Sequence, residues 1–182
     1  IGAVHIDTRE ENGLERECLK AAAAAGMVRL TTGLESGSQR ILDLMEKGTD
    51  LERTERTLRE AAEAGIGVRV TMIVGYPGEE PEDVERSAAF LERNAVSIER
   101  VLLNRFAIIV GTRVHRRLKR RSAGGETLED LRRDDAAASV HHRYGPAGSR
   151  PYRRALWRLL GAVHGINRRA IGVSSLPFEG VM

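Results

Sequence analysis

Four short segments of the 182-residue sequence combine residue types that bind small ligands in α/β proteins. Each segment follows a stretch that we predict as a strand, and three of the four are rich in Gly, Ser, Thr or Pro. Ligands bind outside the carboxyl ends of parallel strands, where such loops approach them closely. The segments are Asp7-Thr8-Arg9, Glu35-Ser36-Gly37-Ser38, Gly75-Tyr76-Pro77-Gly78-Glu79 and Gly111-Thr112. They are therefore the first candidates for a binding site.

One face of the predicted sheet is polar, although side chains alternate between the two faces of a strand. The apolar positions share the other face: Val4 and Ile6; Val28, Leu30, Thr32 and Leu34; Val68, Val70, Met72 and Val74. The polar face contains His5, Asp7, Arg29, Thr31, Glu35, Arg69, Thr71 and either Asn104 or Arg105. A parallel sheet covered on both faces reads as continuously apolar, so a polar face indicates a cavity. Arg29 and Arg69 lie near strand starts, where we expect structural ion pairs.

The elements that must position these residues alternate between helix and strand. An alanine-rich helix, a glycine and a strand occur twice, with Gly26 and Gly65 at 39 residues' separation. A glycine just after a helix ends it, so the repetition indicates βαβ units and a parallel sheet. The predicted strands are Gly2–Thr8, Met27–Glu35, Gly67–Val74 and Arg100–Val110. The predicted helices are Leu14–Ala25, Ser38–Glu46, Leu51–Ala64, Pro81–Arg93, Thr112–Arg120, Leu128–His142 and Pro151–Arg169.

Local chemistry supports three of the helix starts. Ser36 with Gln39 and Thr49 with Glu52 have the spacing of a capping box, and Pro81 has the type expected in a first turn. In the last helix, Leu156, Trp157, Leu160, Val163, His164 and Asn167 recur at three- and four-residue steps. We expect that apolar stripe to pack on the rest of the protein, with the arginines on the opposite side.

Composition narrows the class of protein. The chain is 41% hydrophobic and 30% charged, and it contains no apolar run near the ~18 residues that a membrane span requires, so we expect a cytoplasmic protein without membrane contact. Residues 1–99 have a net charge of −8 and residues 100–182 one of +11. We therefore expect the two halves of the chain to contact different surroundings. The single cysteine, Cys18, cannot by itself form a metal site, and we expect it to be a packed core thiol.

Two runs in this order and spacing resemble the latter half of a radical S-adenosylmethionine (SAM) enzyme core. The first extends from Gly33 to Thr49, GLESGSQRILDLMEKGT, and the second from Met72 to Glu79, MIVGYPGE, before an acidic helix start. The resemblance covers about residues 1–113 and is greatest for the branch that often has an upstream cobalamin-binding domain. It implies a partial or full β/α barrel with SAM and a 4Fe–4S cluster at its mouth. It also implies cleavage of SAM to start radical chemistry on a substrate that the sequence does not identify.

The resemblance assigns cofactor-binding roles to individual positions. Glu35 would pair with the methionyl ammonium of SAM, and Ser36 to Ser38 would open a helix N-terminus toward its carboxylate. Lys47 would reach that same carboxylate, which requires the short helix before it to lie across the mouth. Three further contacts would involve Thr71 near the ribose, Phe106 and Ala107 at the adenine, and His5 at a position that is acidic in some relatives.

The sequence departs from the family at the cluster. Such enzymes bind it through a CxxxCxxC run, and none is present. We therefore expect the cluster ligands to lie outside this chain and the chain to be the C-terminal part of a longer enzyme. The fold class is α/β, a partial β/α barrel of about four parallel strands. The predicted parts are 1–121, barrel core, and 122–182, helical C-terminal extension. The expected partners are the missing N-terminal half of the barrel and the unknown substrate, with cobalamin in an upstream domain as a further candidate cofactor.

Two other classes of function remain open. The first is a non-catalytic α/β scaffold whose arginine-rich half binds an acidic partner or nucleic acid, for which the run Arg116–Arg121 is the candidate surface. We favour a solvated helix end for that run, because aromatic residues make up only 4% of the chain. The second is a hydrolase or lyase that would use His5 and Asp7 as a catalytic pair near Glu35. Fold alone does not exclude either class.

Overall fold

A parallel four-stranded sheet forms the centre of the protein. The computed structural model describes residues 2–4, 14–112, 115–116, 128–134 and 138–171. The sheet contains β1 (Gly2–Val4), β2 (Arg29–Glu35), β3 (Gly67–Val74) and β4 (Arg100–Arg105), in that spatial order. The predicted α/β class with about four parallel strands is thereby confirmed, and the sheet is consistent with part of a β/α barrel. The register aligns Thr31 with Arg69, and Thr71 with Leu102.

Helices cover one face of the sheet. They are α1 (Arg16–Ala24), α2 (Gln39–Leu44), α3 (Leu51–Glu63), α4 (Pro81–Arg93) and α5 (Arg150–Asn167). The predicted inward positions Leu30, Thr32, Leu34, Val68, Val70 and Met72 are each at most 2% exposed. Together with apolar side chains of the helices they form the core, which holds the strands in place by burying apolar surface.

The described helices leave the other face of the sheet uncovered. It includes Thr31, Gly33, Thr71, Leu102 and Asn104, and we call it the open face. Leu102 is 59% exposed although it lies in the middle of a strand. Because Ile73 aligns with Asn104, the residue of β4 that shares this face is Asn104 and not Arg105. The alternation in the sequence predicted this polar face, and the structure confirms it for the described positions.

The repeated helix–glycine–strand phrase has the expected geometry. Gly26 and Gly65 have φ values of 93° and 80°. The N–H of each glycine donates to the C=O of the residue three positions earlier. The N–H of the residue after each glycine donates to the C=O of the residue five positions before it. This is the Schellman arrangement, which satisfies the last carbonyls of a helix and turns the chain back into the sheet.

Two helix starts differ from the predicted capping boxes. The side chain of Asp50, and not that of Thr49, accepts the N–H of Arg53 at 2.8 Å. The residue before α2 is Ser38, while Ser36 lies two residues earlier. Pro81 is in the first turn of α4 as predicted.

Two predictions for the second half of the chain are wrong. The described residues within 128–142 do not form a helix, because β6 (Leu128–Asp134) and β7 (Ser139–Tyr144) make an antiparallel sheet with β5 (Ile108–Ile109), in the order β5-β7-β6. The predicted strand Arg100–Val110 is therefore two strands in different sheets, with Phe106 and Ala107 between them. The C-terminal helix α5 is present, but it is not the whole of the extension.

The last helix packs on α4 and β4 through a face other than the predicted one. Tyr152, Ala155, Leu159 and Ile166 are buried, whereas Trp157 and Leu160 are 74% and 39% exposed. At its end, the side chain of Asn167 bonds to both the N–H and the C=O of Val101, each at 2.8 Å. That amide replaces a neighbouring strand along the edge of β4 and fixes the rotation of the helix.

Several sequence predictions lie outside the described residues. They are the end of the first strand with His5 and Asp7, most of the helix Thr112–Arg120, most of the basic run Arg116–Arg121, and the boundary between residues 121 and 122.

Candidate functional site

The candidate site lies at the carboxyl ends of β2 and β3, and its centre is Glu35. A three-residue turn follows β2, in which the N–H of Ser36 donates to the C=O of Leu34 at 2.7 Å and Glu35 has a φ of 61°. This is the geometry of a γ-turn with positive φ at its centre, a conformation that costs a residue with a side chain about 1–3 kcal/mol. Such strain is retained where the surroundings require a particular side-chain position.

The turn returns the Glu35 carboxylate over the open face. A Cβ atom built on Gly33 would lie 2.7 Å from Oε1 of Glu35 and 3.7 Å from the hydroxyl of Thr71. Gly33 therefore leaves the room that the carboxylate occupies. The register also shifts between Gly33 and Glu35, which accommodates the turn. Glu35 and Thr71 consequently flank one point above the strand ends.

Lys47 completes this cluster from the end of α2. Its Nζ donates to Oε1 of Glu35 at 2.9 Å, although twelve residues separate the two. The chain reverses after α2 because Glu46 has a φ of 56° and the N–H of Lys47 bonds back to Leu42, another Schellman turn. This reversal returns Lys47 to the strand end that contains Glu35, while the predicted position of the short helix across the mouth stays a prediction.

The serines near Glu35 are bonded within the protein. Ser36 and Ser38 are at most 1% exposed. The Ser38 hydroxyl donates to Asp83 at 2.7 Å, and the N–H groups of Gly37 and Ser38 donate to the hydroxyls of Ser87 and Ser36. The structure therefore brings Glu35, Lys47 and Thr71 together, but it directs Ser36 and Ser38 toward α4, and the two amide N–H groups there already have partners.

The close approach of this loop to α4 explains Gly37. A Cβ on Gly37 would lie 2.6 Å from the Cα of Ser87 and 2.8 Å from the Cβ of Phe90. Backbone at those distances cannot move aside, so only glycine fits. The serine–glycine–serine sequence thus fixes Glu35 against the helix layer.

Asp83 joins the two candidate loops. It accepts hydrogen bonds from Ser38 and Arg40, and Arg40 also donates to the C=O of Gly78 at 2.8 Å. Burial raises the pKa of the Asp83 carboxyl, but the hydrogen bonds from Arg40, Ser38 and the backbone of Glu80 outweigh burial, and its pKa is lowered overall. The lowered pKa favours the ionised form of Asp83. Through these bonds, the loop Glu35–Ser38 and the loop Gly75–Glu79 lie on the same rim of the sheet.

A second buried carboxylate supports the Gly75–Gly78 loop. Glu79 is 1% exposed and accepts hydrogen bonds from the N–H of Gly75 and the hydroxyl of Tyr152 in α5. Burial is the main cause that raises the pKa of Glu79, although both bonds act in the opposite direction. The sequence did not predict this contact, because Tyr152 lies 73 residues further along the chain.

The remaining predicted site residues flank the rim. Phe106 follows β4, donates its N–H to Val74 at 2.8 Å and packs edge-on against Tyr76 with 5.0 Å between ring centroids. Ala107 is exposed beside it. His5 lies outside the described residues.

Metal ligands do not cluster in the part of the chain that the structure describes. No group of three His, Cys, Asp or Glu side chains is placed to hold an ion there. Cys18 is exposed on α1, which contradicts its prediction as a packed core thiol. None of the described helices is long and apolar enough to cross a bilayer.

Comparison with known proteins decides the family. Residues 3–91 match the model of the radical SAM superfamily. Over this segment, the chain belongs to the radical SAM superfamily. The resemblance predicted from the two sequence runs is thereby confirmed.

Individual relatives match parts of the chain. Ribosomal protein uS12 methylthiotransferase RimO of Flavobacterium psychrophilum is 43% identical over 61 residues, 32% of this chain and 14% of the relative. Cytidylyl-2-hydroxyethylphosphonate methyltransferase of Streptomyces wedmorensis is 32% identical over 91 residues, 46% of this chain and 17% of the relative. The matches thus span about a sixth or less of these relatives.

A solved radical SAM structure shares the fold. It is the methyltransferase TsrM of Kitasatospora setae, described with cobalamin and a [4Fe-4S] cluster bound. Its TM-score is 0.63 at 16% identity, over 97% of this chain and 40% of TsrM. At that identity, the comparison shows a common architecture and not a common ligand.

Proposed function

We propose that this chain supplies part of the SAM-binding wall of a radical SAM enzyme, with Glu35 and Lys47 receiving the amino-acid end of SAM. The observation that carries the proposal is the Glu35–Lys47 ion pair, held at the carboxyl ends of the strands by a positive-φ turn. Backbone strain of this kind clusters at active sites and ligand-binding sites.

The charges of the pair complement the methionyl group of SAM. That group has an ammonium and a carboxylate on one carbon, so Glu35 would accept from the ammonium and Lys47 would donate to the carboxylate. The Glu35 side chain is 14% exposed and the Lys47 side chain 38%. Lys47 therefore has room to move from Glu35 to a ligand while each charge keeps an opposite charge beside it. Charge-assisted hydrogen bonds of this kind are worth about 1.5–3 kcal/mol each.

The rest of SAM would extend along the open face. Thr71 flanks the same point as Glu35 and offers a hydroxyl to the ribose. Phe106 and Ala107, with Tyr76 packed against Phe106, would contact the adenine. Ser36 and Ser38 would contribute by holding the loop, and His5 remains a candidate from the first strand.

The cluster does not fit the residues of this chain. A 4Fe–4S cluster requires cysteine thiolates, and the only cysteine is on the outer side of α1. Within the proposal, the cluster ligands belong to another part of the enzyme, which would complete the barrel beside β1. When SAM and a cluster are bound together, they supply radical chemistry on a substrate. The sequence resemblance to the branch that often has an upstream cobalamin-binding domain keeps cobalamin, bound by a separate domain, as a further candidate cofactor.

Calorimetric titration of the 182-residue chain with SAM tests the proposal. We expect SAM to bind saturably, and we expect methionine or adenosine alone to compete with it only weakly. Glu35→Gln and Lys47→Met should each weaken binding about 10- to 100-fold, which corresponds to the loss of one charge-assisted hydrogen bond.

The chain contains a matched control pair. Glu17 and Lys20 form a 2.8 Å ion pair on the surface of α1, so Glu17→Gln and Lys20→Met make the same chemical changes away from the site. Those variants should bind SAM as the unmodified chain does. Absence of SAM binding, or equal losses in both sets of variants, would overturn the proposal and favour the scaffold hypothesis.

A further inference from the structure

A groove between the first turns of α4 and α5 lies on the helix-covered side of the sheet, opposite the open face. It is lined by Pro81, Glu82, Glu85, Arg86, Arg150, Pro151, Arg153, Arg154 and Trp157. None of these residues belongs to the proposed SAM site. The groove therefore needs an explanation of its own.

Trp157 is the most unusual residue of the groove. It is 74% exposed, and it is the only tryptophan of the chain. The sequence predicted that it would pack inward, but Tyr152 and Asn167 fix the rotation of α5 and turn Trp157 to solvent. Tryptophan is enriched among the residues that contribute most to binding interfaces, so its position beside a cluster of charged side chains marks the groove as a candidate contact.

Three guanidinium groups lie beside this indole. Arg150, Arg153 and Arg154 are exposed, and no ion pair involves them among the described residues. Arg154 and Arg153 precede Trp157 by three and four residues, so they share its side of the helix. Arg150 lies one turn before Arg154, about 6 Å along the axis.

Most other charges of the groove are compensated. Arg86 pairs with Asp83 at 3.1 Å, and Glu85 pairs with Arg158 at 2.7 Å. In the described part of the chain, Glu82 is then the one carboxylate of the lining without an ion-pair partner. Three unpaired arginines against one glutamate leave the groove positive, which complements a polyanion.

We propose that this groove binds single-stranded nucleic acid, with one base stacked on Trp157 and the adjacent phosphates on Arg150, Arg153 and Arg154. An aromatic platform combined with cationic side chains is the arrangement that binds single strands without sequence preference. An acidic protein segment would satisfy the arginines but would leave the indole face unused. The proposal is independent of SAM binding.

The single tryptophan makes the test direct. Trp157 fluorescence is followed while the chain is titrated, at 50 mM salt, with an RNA decamer, a DNA decamer and polyglutamate. Either or both nucleic acids should quench the emission saturably, and the comparison shows which sugar is preferred. On logarithmic axes, affinity should fall with salt with a slope of about −0.7 for each phosphate contacted, and of about −2 for the three contacts proposed here.

Matched variants separate the groove from general charge. Arg150→Gln with Arg154→Gln should weaken nucleic-acid binding at least tenfold and lower the salt slope. Arg56→Gln with Arg59→Gln removes the same charge from exposed positions of α3 and should change affinity less than twofold. Trp157→Ala, followed by filter binding, should cost about 5- to 100-fold, the value of one stacked base, and Trp157→Phe should recover most of it.

Three results would overturn the proposal. They are binding of polyglutamate as tightly as nucleic acid without quenching, equal losses in the two arginine pairs, and no binding at 50 mM salt. The first would identify an acidic protein partner, and the second would indicate nonspecific attraction. Melting temperatures of all variants, measured in parallel, exclude unfolding as the cause of a loss.

Discussion

The two ends of the sheet contain similar ion pairs that differ in how they are held. At the carboxyl end, the Glu35 carboxylate lies over Gly33 and pairs with Lys47 at 2.9 Å. At the amino end, the Glu99 carboxylate lies 2.8 Å from the Cβ position of Gly67 and pairs with Arg29 at 2.7 Å. Each glutamate thus occupies the space above a strand glycine beside a basic residue.

Burial and backbone distinguish the two pairs. The Arg29 side chain is 2% exposed, whereas that of Lys47 is 38% exposed. Arg69 provides a second cation 3.8 Å from Glu99. Of these two glutamates, only Glu35 has a positive φ. The amino-end pair is enclosed, and it shows the ion pairing expected of Arg29 and Arg69, while the carboxyl-end pair is strained and more accessible.

The comparison indicates which pair serves stability and which serves binding. A buried charge that loses its partner is strongly destabilising, whereas a partly exposed pair contributes little to folding. The following predictions test this division, in order of decreasing effect.

Arg29→Met should have the largest effect on stability. The change leaves Glu99 with the more distant Arg69, and loss of one partner from a buried pair costs about 3–5 kcal/mol. Urea unfolding followed by circular dichroism measures the loss. Lys47→Met is the matched control and should cost under about 1 kcal/mol. Similar losses at both ends would remove the distinction.

Tyr152→Phe should cost about 1–3 kcal/mol, because the buried carboxylate of Glu79 loses a hydrogen bond. If Tyr152 supports the carboxyl-end rim, SAM affinity at 10 °C, where both proteins are folded, should also fall. Unchanged affinity together with lost stability would show that the rim does not depend on α5.

Glu79→Gln should alter how stability depends on pH. The pKa of Glu79 is raised by burial, so its protonated form stabilises the fold below the unfolded pKa, and that contribution is lost as pH rises through the folded pKa. Glutamine has no such loss. The unfolding free energy should therefore fall less between pH 4.5 and pH 8 in the variant than in the unmodified chain. An identical decline in both proteins would contradict the burial of this charge.

Glu35→Gly should have the smallest effect on stability, with the opposite sign. Glycine adopts positive φ without strain, so the variant should gain about 1 kcal/mol while SAM binding is lost. Glu46→Gly tests the same backbone effect outside the site, since Glu46 has a φ of 56°. That control should gain stability and keep its affinity. Loss of stability in Glu35→Gly alone would identify Glu35 as a structural residue.

Local signals predicted much of the fold. The bounds of β3 and α4 are those expected from alternation and from Pro81, and both helix-ending glycines have positive φ. The same logic identified the open face and the ion-pair role of Arg29 and Arg69, but not their partner Glu99, which lies 70 residues after Arg29. Apart from that partner, these features depend on neighbouring residues, so one sequence contains enough information.

The sequence did not predict the features that depend on contacts between distant residues. The alanines and charges of residues 128–142 favour a helix, but pairing of β7 with β5, about 30 residues earlier, makes that region strands. Likewise, Tyr152 and Asn167 determine which face of α5 is buried, and their partners are Glu79 and Val101. At the site, the proximity of Glu35 and Lys47 was predicted from the resemblance, whereas the burial of Ser36 and Ser38 against α4 was not.

Backbone amide NMR of the 182-residue chain, titrated with SAM, tests the central claim most directly. The account predicts concentration-dependent shifts at Gly33, Glu35, Lys47 and Thr71, which disappear in Glu35→Gln. Shifts that concentrate instead near Arg29, Gly67 and Glu99, or no shifts up to millimolar SAM, would contradict it.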